Sequence, residues 1–381
     1  MWEREGTMKT RAAVLRRAPV ERPYAETKPL SIEELDLAGP AHGEVLVRIR
    51  TAGLCHSDLS VINGDRPRPV PMAIGHEAAG VVERVGPGVA DLEEGDHVIM
   101  VFMPSCGHCL PCAEGRPALC EPGAAANGAG SLLGGGRRLM YRGEPVHHHL
   151  GVSAFAERAV VSRRSLVRID RDLPFDHAAL FGCAVLTGVG AVVNTAQIKA
   201  GQSVAVVGLG GVGLASLLGA VAAGASQIVA VDLVEEKREL ARQLGATLAV
   251  DPRDADAVDK VKDATRGGVD AAVEVAGSVR ALDFAYRITR RGGTTVTGGL
   301  ANPAENLAIQ QVSLVAEERT LKGSYIGSCV PSRDIPRYIE LFRAGRLPVD
   351  RLLTGQGTLD DINEALDALA DGRTVRHVIH P

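Results

Sequence analysis

The sequence predicts an α/β protein in which a doubly wound parallel sheet is combined with a second, β-rich domain. From Ser203 onward, short apolar strands alternate with helical segments, which is typical of a parallel sheet with helices on both faces. A glycine-rich turn at residues 208–213 follows the first of these strands and precedes an apolar helix. Before residue 184, short β-branched runs bounded by glycine or proline indicate an irregular, β-rich domain.

The boundaries of the elements and domains follow from the same patterns. In the parallel sheet we expect strands at 203–207, 227–231, 247–250, 271–275 and 294–297, with helices at 212–223, 235–244 and 279–288. In the β-rich part we expect strands at 44–49, 78–85, 97–101 and 375–379, helices at 335–344 and 360–370, and a long irregular excursion at 104–150. The sheet domain, residues 185–326, is therefore inserted into a second domain that comprises residues 1–184 and 327–381.

The composition is that of a globular protein with more than one domain. Its 381 residues exceed the usual size of one compact domain, and 45% of them are hydrophobic and 23% charged. The net charge of −4 argues against binding to nucleic acid or to an anionic membrane. No apolar run reaches the ~20 residues that a transmembrane helix requires. We therefore expect a cytoplasmic protein that binds neither nucleic acid nor a membrane.

The glycine-rich turn has the context of a dinucleotide-binding site. Its first glycine allows a tight turn, its second lets the backbone approach a pyrophosphate, and its third lets helix and strand pack closely. The next strand ends in an aspartate whose carboxylate would bond to the ribose and repel a 2′-phosphate, which favours NAD over NADP. The alternative is a glycine turn in an unrelated α/β domain. The residues expected at the dinucleotide are Gly208, Gly210, Gly211, Val212, Gly213, Asp232 and Lys237.

Four of the cysteines lie in one loop with the spacing C-x2-C-x2-C-x7-C. In a cytoplasmic chain, cysteines stay reduced, so this cluster favours metal binding over disulfides. Four thiolates at this spacing can form a tetrahedral zinc site without an open position, so we expect a structural role. An iron–sulfur cluster is the chemical alternative because its ligands can be spaced similarly. The four residues are Cys106, Cys109, Cys112 and Cys120.

Three further residues supply the ligand set of an open zinc site. Cys55 lies in A-G-L-C-H-S-D, His76 in G-H-E-A-A-G, and Cys183 in G-C-A-V-L-T-G. Each of them alone is more often part of a core. Together they leave one coordination position of a zinc free for a substrate, as catalytic zinc sites do. Asp58 is a candidate to orient His76, and Glu77 is a candidate to stand behind the metal.

These motifs together resemble the zinc-containing alcohol dehydrogenases of the medium-chain dehydrogenase/reductase family. The resemblance rests on G-H-E-x-x-G, the four-cysteine loop, the cysteine at 183 and the G-x-G-G-x-G turn, and it extends from about Met8 to the C-terminus. It implies a GroES-like catalytic domain, a Rossmann domain for NAD, and one catalytic and one structural zinc per chain. It also implies hydride transfer between a primary or secondary alcohol and NAD, giving an aldehyde or ketone. The expected assembly is a homodimer or homotetramer.

The resemblance assigns catalytic roles around the three ligands of the open site. Ser57 would bond to the substrate hydroxyl and take its proton as hydride leaves, the alternative being a hydroxyl that caps the loop. His56 and Arg376 take positions at which basic residues contact the coenzyme pyrophosphate. Ser60 stands where many relatives carry a histidine that passes the proton to solvent. The proton path therefore ends either in water or at His56.

The resemblance also indicates which residues line the substrate pocket. Phe102 and Leu150 match apolar lining positions, whereas His149 stands where relatives usually carry an aromatic or apolar residue. We therefore expect a pocket less apolar than that of a simple ethanol-oxidising enzyme, unless His149 points away from it. The glutathione-dependent formaldehyde branch uses an arginine shortly after the fourth loop cysteine, and residues 121–124 contain none. This difference argues against glutathione adducts as substrates.

Other classes of protein fit the sequence less well. A zinc-free reductase of the same superfamily would keep the glycine turn but lack the Cys-His-Cys ligand set, which this chain has. A zinc-bearing module for nucleic acid or protein binding is disfavoured by the acidic net charge. A relative that had lost its activity would be expected to lack a ligand or Ser57, and both are present.

Overall fold

The computed structural model describes residues 7–381, and the chain forms two compact units. The first unit extends to Cys183 and also contains Val330–Ile335 and Leu353–Pro381, while the second unit contains Ala184–Cys329 and Pro336–Leu352. Residues 1–6, which we assigned to the first domain, lie outside the described residues. The segment Pro336–Leu352 clusters with the second unit, although we expected all of 327–381 in the first domain.

The N-terminal part of the first unit contains most of the strands expected of a β-rich domain and several short helices. Its strands are β1 (Met8–Leu15), β2 (Leu30–Leu37), β3 (Glu44–Gly53), β4 (Met72–Ala73), β5 (Ala78–Val85), β6 (His97–Met100), β7 (Leu139–Tyr141), β8 (Glu144–His148), β9 (Arg158–Ser162) and β10 (Leu166–Ile169). Its α-helices are α1 (Tyr24–Thr27), α2 (His56–Ile62), α3 (Leu110–Ala113), α4 (Glu121–Ala129) and α5 (Phe175–Leu180).

The second unit follows in the chain, and the C-terminal segment Leu353–Pro381 belongs again to the first unit. The helices of the second unit are α6 (Ala184–Gly190), which continues as a π-helical segment Ala191–Ala196, α7 (Gly211–Ala222), α8 (Glu235–Gln243), α9 (Ala257–Ala264), α10 (Val279–Ile288), α11 (Gln311–Ala316) and α12 (Pro331–Arg343), whose first turn belongs to the first unit. Its strands are β11 (Ser203–Val207), β12 (Gln227–Val231), β13 (Leu248–Val250), β14 (Val269–Glu274), β15 (Thr289–Thr297) and β16 (Thr320–Gly323). The return to the first unit adds β17 (Leu353–Thr358), α13 (Ile362–Ala370) and β18 (Arg376–His380).

The first unit is built from a closed five-stranded barrel and a seven-stranded sheet. The barrel has the order β1-β2-β7-β8-β4, and the sheet has the order β10-β6-β5-β3-β18-β17 with β9 paired to β3. β3 and β5 are antiparallel, and Ala52 at the end of β3 pairs with Ala78 at the start of β5. The loop after β3 and the turn before β5 therefore meet at the same end of the sheet. These two segments carry Cys55 and His76.

The second unit is a parallel sheet of the Rossmann type. Its strand order is β13-β12-β11-β14-β15-β16, and every neighbouring pair is parallel. This is the order 3-2-1-4-5-6, in which the strand order reverses between β11 and β14, and ligands bind at the carboxyl ends of the strands there. The central strands β11, β12 and β14 are buried by apolar residues on both faces, as a sheet covered by helices requires. The predicted α/β class, with a β-rich unit and a Rossmann-type parallel sheet, is confirmed.

The excursion at 104–150 contains more regular structure than we expected. It includes α3, α4 and the hairpin of β7 and β8, which closes the barrel. Within residues 7–381, every helix is too short or too polar to cross a lipid bilayer.

Candidate active site

Cys55 lies where β3 gives way to α2, and the local structure fixes its position. Cys55 is the N-cap residue of α2, and its backbone N–H donates to Asp58 Oδ2 at 3.0 Å. This is the reciprocal arrangement of a capping box, in which the third helical residue bonds back to the N-cap. The short helix thus begins at the candidate ligand and holds the Asp58 carboxylate beside it.

The three candidate ligands of the open site come together in the first unit. One ligand atom each from Cys55, His76 and Cys183 lies within 4.8 Å of the others, and all three residues are buried. His76 Nε2 is buried without a hydrogen-bond partner among the described residues. An unpaired buried nitrogen facing two thiols is the donor set that zinc prefers, with ligands at about 2.0–2.3 Å. The residues present therefore fit a zinc ion.

The two thiols of this cluster differ in their proton affinity. A hydrogen bond from Cys183 and, next, the proximity of His76 hold the pKa of Cys55 well below its usual range, although burial acts in the opposite direction. The same contact with Cys55, together with burial, raises the pKa of Cys183 well above its usual range. Two thiols in this arrangement share a proton, and a bound cation would favour the release of that proton.

Asp58 connects the segment of Cys55 with that of His76. Its Oδ1 lies 2.9 Å from His76 Nδ1, and both side chains are fully buried. Burial alone would lower the pKa of His76, but the Asp58 carboxylate outweighs it and raises that pKa well above its usual range. A carboxylate at Nδ1 fixes the ring so that Nε2 faces the metal position, as the second ring nitrogen of metal-binding histidines usually requires. This is the contact that we expected of Asp58.

Glu77 and Arg376 form a buried ion pair next to the cluster. Arg376 Nη2 bonds to Glu77 Oε1, and the two residues are 2% and 0% exposed, so the pair is removed from water. Gly53 makes room for this carboxylate, because a Cβ there would overlap Glu77 Oε1. Burial opposes the charge on Arg376, but Glu77 and then the Cys55 thiol raise the pKa of the guanidinium above its usual range. The expected contact of Arg376 with a pyrophosphate stays a prediction.

Two of the three predicted pocket residues, Phe102 and His149, lie against His76. The Phe102 ring meets the His76 ring edge-on at 5.2 Å between centroids, and the His149 ring does so at 5.5 Å. His149 is 1% exposed, and its Nδ1 accepts a hydrogen bond of 3.1 Å from the backbone N–H of Gly75. Leu150 follows with a positive φ of 52° and is also buried. His149 is therefore engaged with the turn that carries His76, a contact that the sequence did not reveal.

The residues proposed for the proton path lie on α2. His56 is exposed, Ser57 is partly buried, and both belong to the first turn of the helix. Ser60 Oγ donates to the backbone carbonyl of His56 at 3.0 Å, one helical turn earlier. The Ser60 hydroxyl is thus used within the helix, while Ser57 lies two residues from Cys55.

The four loop cysteines also converge in the first unit. Their ligand atoms all lie within 4.8 Å of one another. Backbone N–H groups point at the sulfurs: Cys106 N lies 3.1 Å from Cys120 Sγ, and Cys109 N lies 3.3 Å from Cys106 Sγ. Hydrogen bonding from the backbone of His108 lowers the pKa of Cys106 to about 6. A cluster of four cysteines that receives such bonds fits a closed tetrahedral zinc site.

The glycine turn of the second unit has the geometry that a dinucleotide requires. Gly208 has φ of +93°, and a Cβ there would lie 2.7 Å from the backbone nitrogen of Ala276. Gly210 is the N-cap of α7 and has open space where a Cβ would be, and a Cβ on Gly213 would overlap the Gly208 carbonyl. The free N–H groups at the start of α7 can donate hydrogen bonds to a phosphate. Gly211 and Val212 belong to this first turn.

Asp232 supports the glycine turn directly. Its Oδ2 accepts a hydrogen bond of 2.7 Å from Leu209 N, and its Oδ1 accepts one of 2.9 Å from Val234 N. Each carboxylate oxygen keeps a further lone pair for a ribose hydroxyl. Lys237 lies one turn further on, in α8.

Two glycines that the sequence analysis did not single out shape this site. Gly75 has φ of +97°, and a Cβ there would lie 2.6 Å from the backbone nitrogen of Phe155. Gly53 provides the space for Glu77, as described above. Both glycines flank the predicted ligand motifs, and this proximity is the one signal in the sequence that could have identified them.

Comparison with known proteins gives the family of the chain. The family described as alcohol dehydrogenase GroES-like domain matches residues 41–171, and that described as zinc-binding dehydrogenase matches residues 211–344. The NDMA-dependent alcohol dehydrogenase of Amycolatopsis methanolica is 41% identical, over 98% of this chain and 99% of that protein. The S-(hydroxymethyl)glutathione dehydrogenase of Escherichia coli is 39% identical, over 98% of this chain and 100% of that protein. The structure of benzyl alcohol dehydrogenase from Acinetobacter calcoaceticus has a TM-score of 0.91 at 32% identity and covers 98% of this chain and 99% of that one.

The fold, the cysteine–histidine cluster and these similarities define the class of protein. It is an oxidoreductase that depends on zinc and a nicotinamide dinucleotide and acts on small alcohols or the corresponding carbonyl compounds. The chain belongs to the zinc-containing alcohol dehydrogenases of the medium-chain dehydrogenase/reductase family.

Proposed function

We propose that the chain oxidises a primary or secondary alcohol with NAD at the Cys55–His76–Cys183 cluster, and reduces the aldehyde or ketone in the reverse direction. The convergence of these three buried ligand atoms within 4.8 Å is the observation that carries the proposal. Zinc bound there would act as a Lewis acid, which polarises a carbonyl and lowers the pKa of an alcohol. The protein holds the ligands in place through Asp58 at His76 Nδ1.

We assign the first step of proton transfer to Ser57. In this assignment its hydroxyl accepts a hydrogen bond from the substrate hydroxyl and passes the proton to His56 or to water. The position of Ser57 supports this role, since it is partly buried and two residues from Cys55 at the start of α2. Ser60 is a poorer candidate because its hydroxyl already donates within the helix.

We propose a substrate other than a glutathione adduct, with Phe102 and Leu150 as apolar walls of its pocket. The stretch after Cys120 contains no arginine at 121–124 that could pair with the carboxylates of such an adduct. A spectrophotometric screen of aliphatic and aromatic alcohols with NAD, read by the absorbance of the reduced nicotinamide, tests the reaction. Turnover of at least one alcohol is expected, and S-(hydroxymethyl)glutathione should be a poor substrate. Preference for the glutathione adduct over every free alcohol would contradict this assignment.

We propose NAD, not NADP, as the coenzyme. A 2′-phosphate beside the Asp232 carboxylate would be repelled, whereas a ribose hydroxyl can donate to it. Asp232→Ala should narrow the preference for NAD, while Asp254→Ala, at an exposed carboxylate of the same unit, should leave it unchanged. The ratio of kcat/KM for NAD and NADP is the measurement. Equal use of both coenzymes by the unmodified protein would show that Asp232 does not face the ribose.

We also propose two zinc ions per chain and a homo-oligomer, either a dimer or a tetramer. The two cysteine clusters support the metal count, which elemental analysis of the purified protein checks. The exposed apolar side chains of Leu300, Val312 and Val315 support self-association, and so does the outer edge of β16, with which no other strand of residues 7–381 pairs. Light scattering coupled to size exclusion gives the mass of the assembly.

We infer that the protein works in the cytoplasm. We also infer that its domains are those assigned from the sequence, 1–184 with 327–381 and 185–326, except that Pro336–Leu352 clusters with the second unit. None of the seven cysteines, all of which are described, forms a disulfide, which is typical of a reducing compartment. The family matches at 41–171 and 211–344 support the order of the two domains along the chain.

A further inference from the structure

The turn that carries His76 is stabilised by residues that are not themselves candidate zinc ligands. It runs from Ala73 at the end of β4 to Ala78 at the start of β5, and its conformation depends on Gly75 with φ of +97°. A Cβ on Gly75 would lie 2.8 Å from Cγ of the Phe155 ring, so backbone and ring pack tightly there. The position of His76 follows directly from this turn.

The segment after β8 supplies the partners of this turn. Ala154 N donates to Gly75 O at 2.9 Å, and Phe155 N donates to Ile74 O at 3.1 Å. The Gly75 N–H has a different kind of acceptor, the Nδ1 of His149 at 3.1 Å. A backbone N–H donates only, so His149 Nδ1 carries no proton, and in the neutral ring the proton is on Nε2.

The same ring also lies beside Asp58. His149 Nδ1 is 3.5 Å from Asp58 Oδ1, the oxygen that bonds to His76 Nδ1 at 2.9 Å, but Nδ1 has no proton to donate to that oxygen because it accepts from Gly75. All three side chains are at most 1% exposed, so water does not replace a lost contact easily. Three segments therefore meet here: the start of α2, the Gly75 turn and the segment after β8.

We propose that His149 is a positioning residue, which fixes the metal ligand His76 by accepting the hydrogen bond of the Gly75 N–H. The proposal rests on the assignment of His76 as a zinc ligand. It differs from a substrate-lining role, because the nitrogen that carries it faces the protein backbone. Loss of a hydrogen-bond partner of the ligand itself typically lowers metal affinity about 10- to 100-fold, and we expect the lower end of this range when the turn that carries the ligand loses its partner.

The test compares zinc retention in four variants. His149→Phe keeps the ring size but removes the acceptor, and His149→Asn keeps an acceptor oxygen near the position of Nδ1. His147→Phe makes the same substitution two residues earlier in β8, where the side chain receives a bond from Arg137 and none from Gly75. Cys183→Ser removes a ligand and identifies the zinc that belongs to this site. The rate of zinc transfer to a coloured chelator is measured for each.

The expected order is specific to the proposal. His149→Phe should release the zinc of this site about 10-fold faster or more, while His149→Asn and His147→Phe should stay near the unmodified protein. The release from the four-cysteine loop should be equal in all. A displaced His76 should also slow the chemical step. We therefore expect kcat of His149→Phe to fall by a larger factor than its affinity for NADH, and kcat of His149→Asn to be close to that of the unmodified protein.

The outcomes separate the inference from the proposed function. If Cys183→Ser holds as much zinc as the unmodified protein, the ligand assignment itself is wrong. If Cys183→Ser loses a zinc but His149→Phe retains it with unchanged kinetics, His149 does not position His76. Should His149→Phe fail to fold, His149→Gln replaces it: its longer side chain displaces the acceptor, so faster release than in His149→Asn is expected, and equal rates contradict the proposal.

Discussion

Two serines of α2 differ in position, and this difference separates the hydroxyl that we propose to be catalytic from one that bonds within the helix. Ser60 lies one turn after His56 and donates to its carbonyl, which is a common use of serine inside a helix. Ser57 lies in the first turn, where side chains point toward the N-terminal end that carries Cys55. The two residues are chemically identical and close in sequence, so they provide a matched pair for mutation.

We predict that Ser57→Ala lowers kcat for alcohol oxidation by about 10²- to 10⁴-fold, the usual effect of losing a proton-transfer group. NADH binding, measured by fluorescence titration, should be unchanged. Ser60→Ala should keep near-normal turnover, because it removes only a bond within the helix. If Ser57→Ala retains substantial activity on both primary and secondary alcohols, Ser57 does not carry the proton, and solvent must accept it directly.

At the scale of elements, the sequence predicted helices and strands that have a periodic apolar pattern. It missed elements that lack such a pattern and are stabilised by contacts with other parts of the chain. β11, β12 and α10 begin and end where the alternation of apolar residues placed them. The edge strand β16 was not predicted, because its four residues are mostly exposed and show no apolar alternation. α4 contains Pro122, Gly123 and Gly128, which disfavour a helix.

The same reasoning applies to the candidate site. The four loop cysteines and the glycine turn were visible because their spacing along the chain is short and specific. Cys55, His76 and Cys183 lie far apart in the sequence, and their grouping depended on the ligand set they complete and on the family resemblance. The bond from Gly75 to His149 was not visible, since it links residues 74 positions apart. The pairing of Glu77 with Arg376 spans 299 positions and depends on β18 lying beside β3, which no local pattern predicts.

The four-cysteine loop provides a prediction about an element that depends on metal. We expect Cys106→Ser/Cys109→Ser to lose about one zinc per chain and to make residues 104–130 sensitive to proteolysis, because thiolate ligands hold this loop together. Leu110→Ser, an exposed change in the same loop, should alter neither property. Metal analysis and limited proteolysis measure the effect. If the double variant keeps both its zinc content and its resistance to protease, these cysteines do not bind a structural zinc.

At the scale of the whole molecule, the barrel of the first unit contains a histidine that folding keeps neutral. His148 ends β8 and is fully buried. Its Nε2 accepts a hydrogen bond of 3.0 Å from Arg138 N, and its Nδ1 lies 3.3 Å from Ser153 Oγ, so the ring is satisfied in the neutral form. Burial, followed by the positive charge of Arg138, lowers the pKa of His148 to about 3.

This shift makes the stability of the fold depend on pH. The unfolded chain binds a proton at His148 below a pKa of about 6.5, whereas the folded chain does not until about pH 3. The stabilisation that comes from keeping His148 neutral is therefore complete above pH 6.5, and it is lost as the pH falls from 6.5 toward 3. At pH 5 this single group should have lowered the free energy of unfolding by about 2 kcal/mol.

We predict that His148→Gln removes this part of the pH dependence. The Gln oxygen can take the place of Nε2 as acceptor for Arg138 N, and the amide does not titrate between pH 7 and pH 5. In urea unfolding at the two pH values, the loss of stability should be about 2 kcal/mol smaller in the variant than in the unmodified protein.

His42→Gln, at an exposed position of the same unit, should keep the original loss. Effects of acid on the zinc ligands are common to all three proteins and cancel in the comparison. Equal losses in His148→Gln and the unmodified protein would mean that His148 is protonated in the folded state as readily as in the unfolded chain.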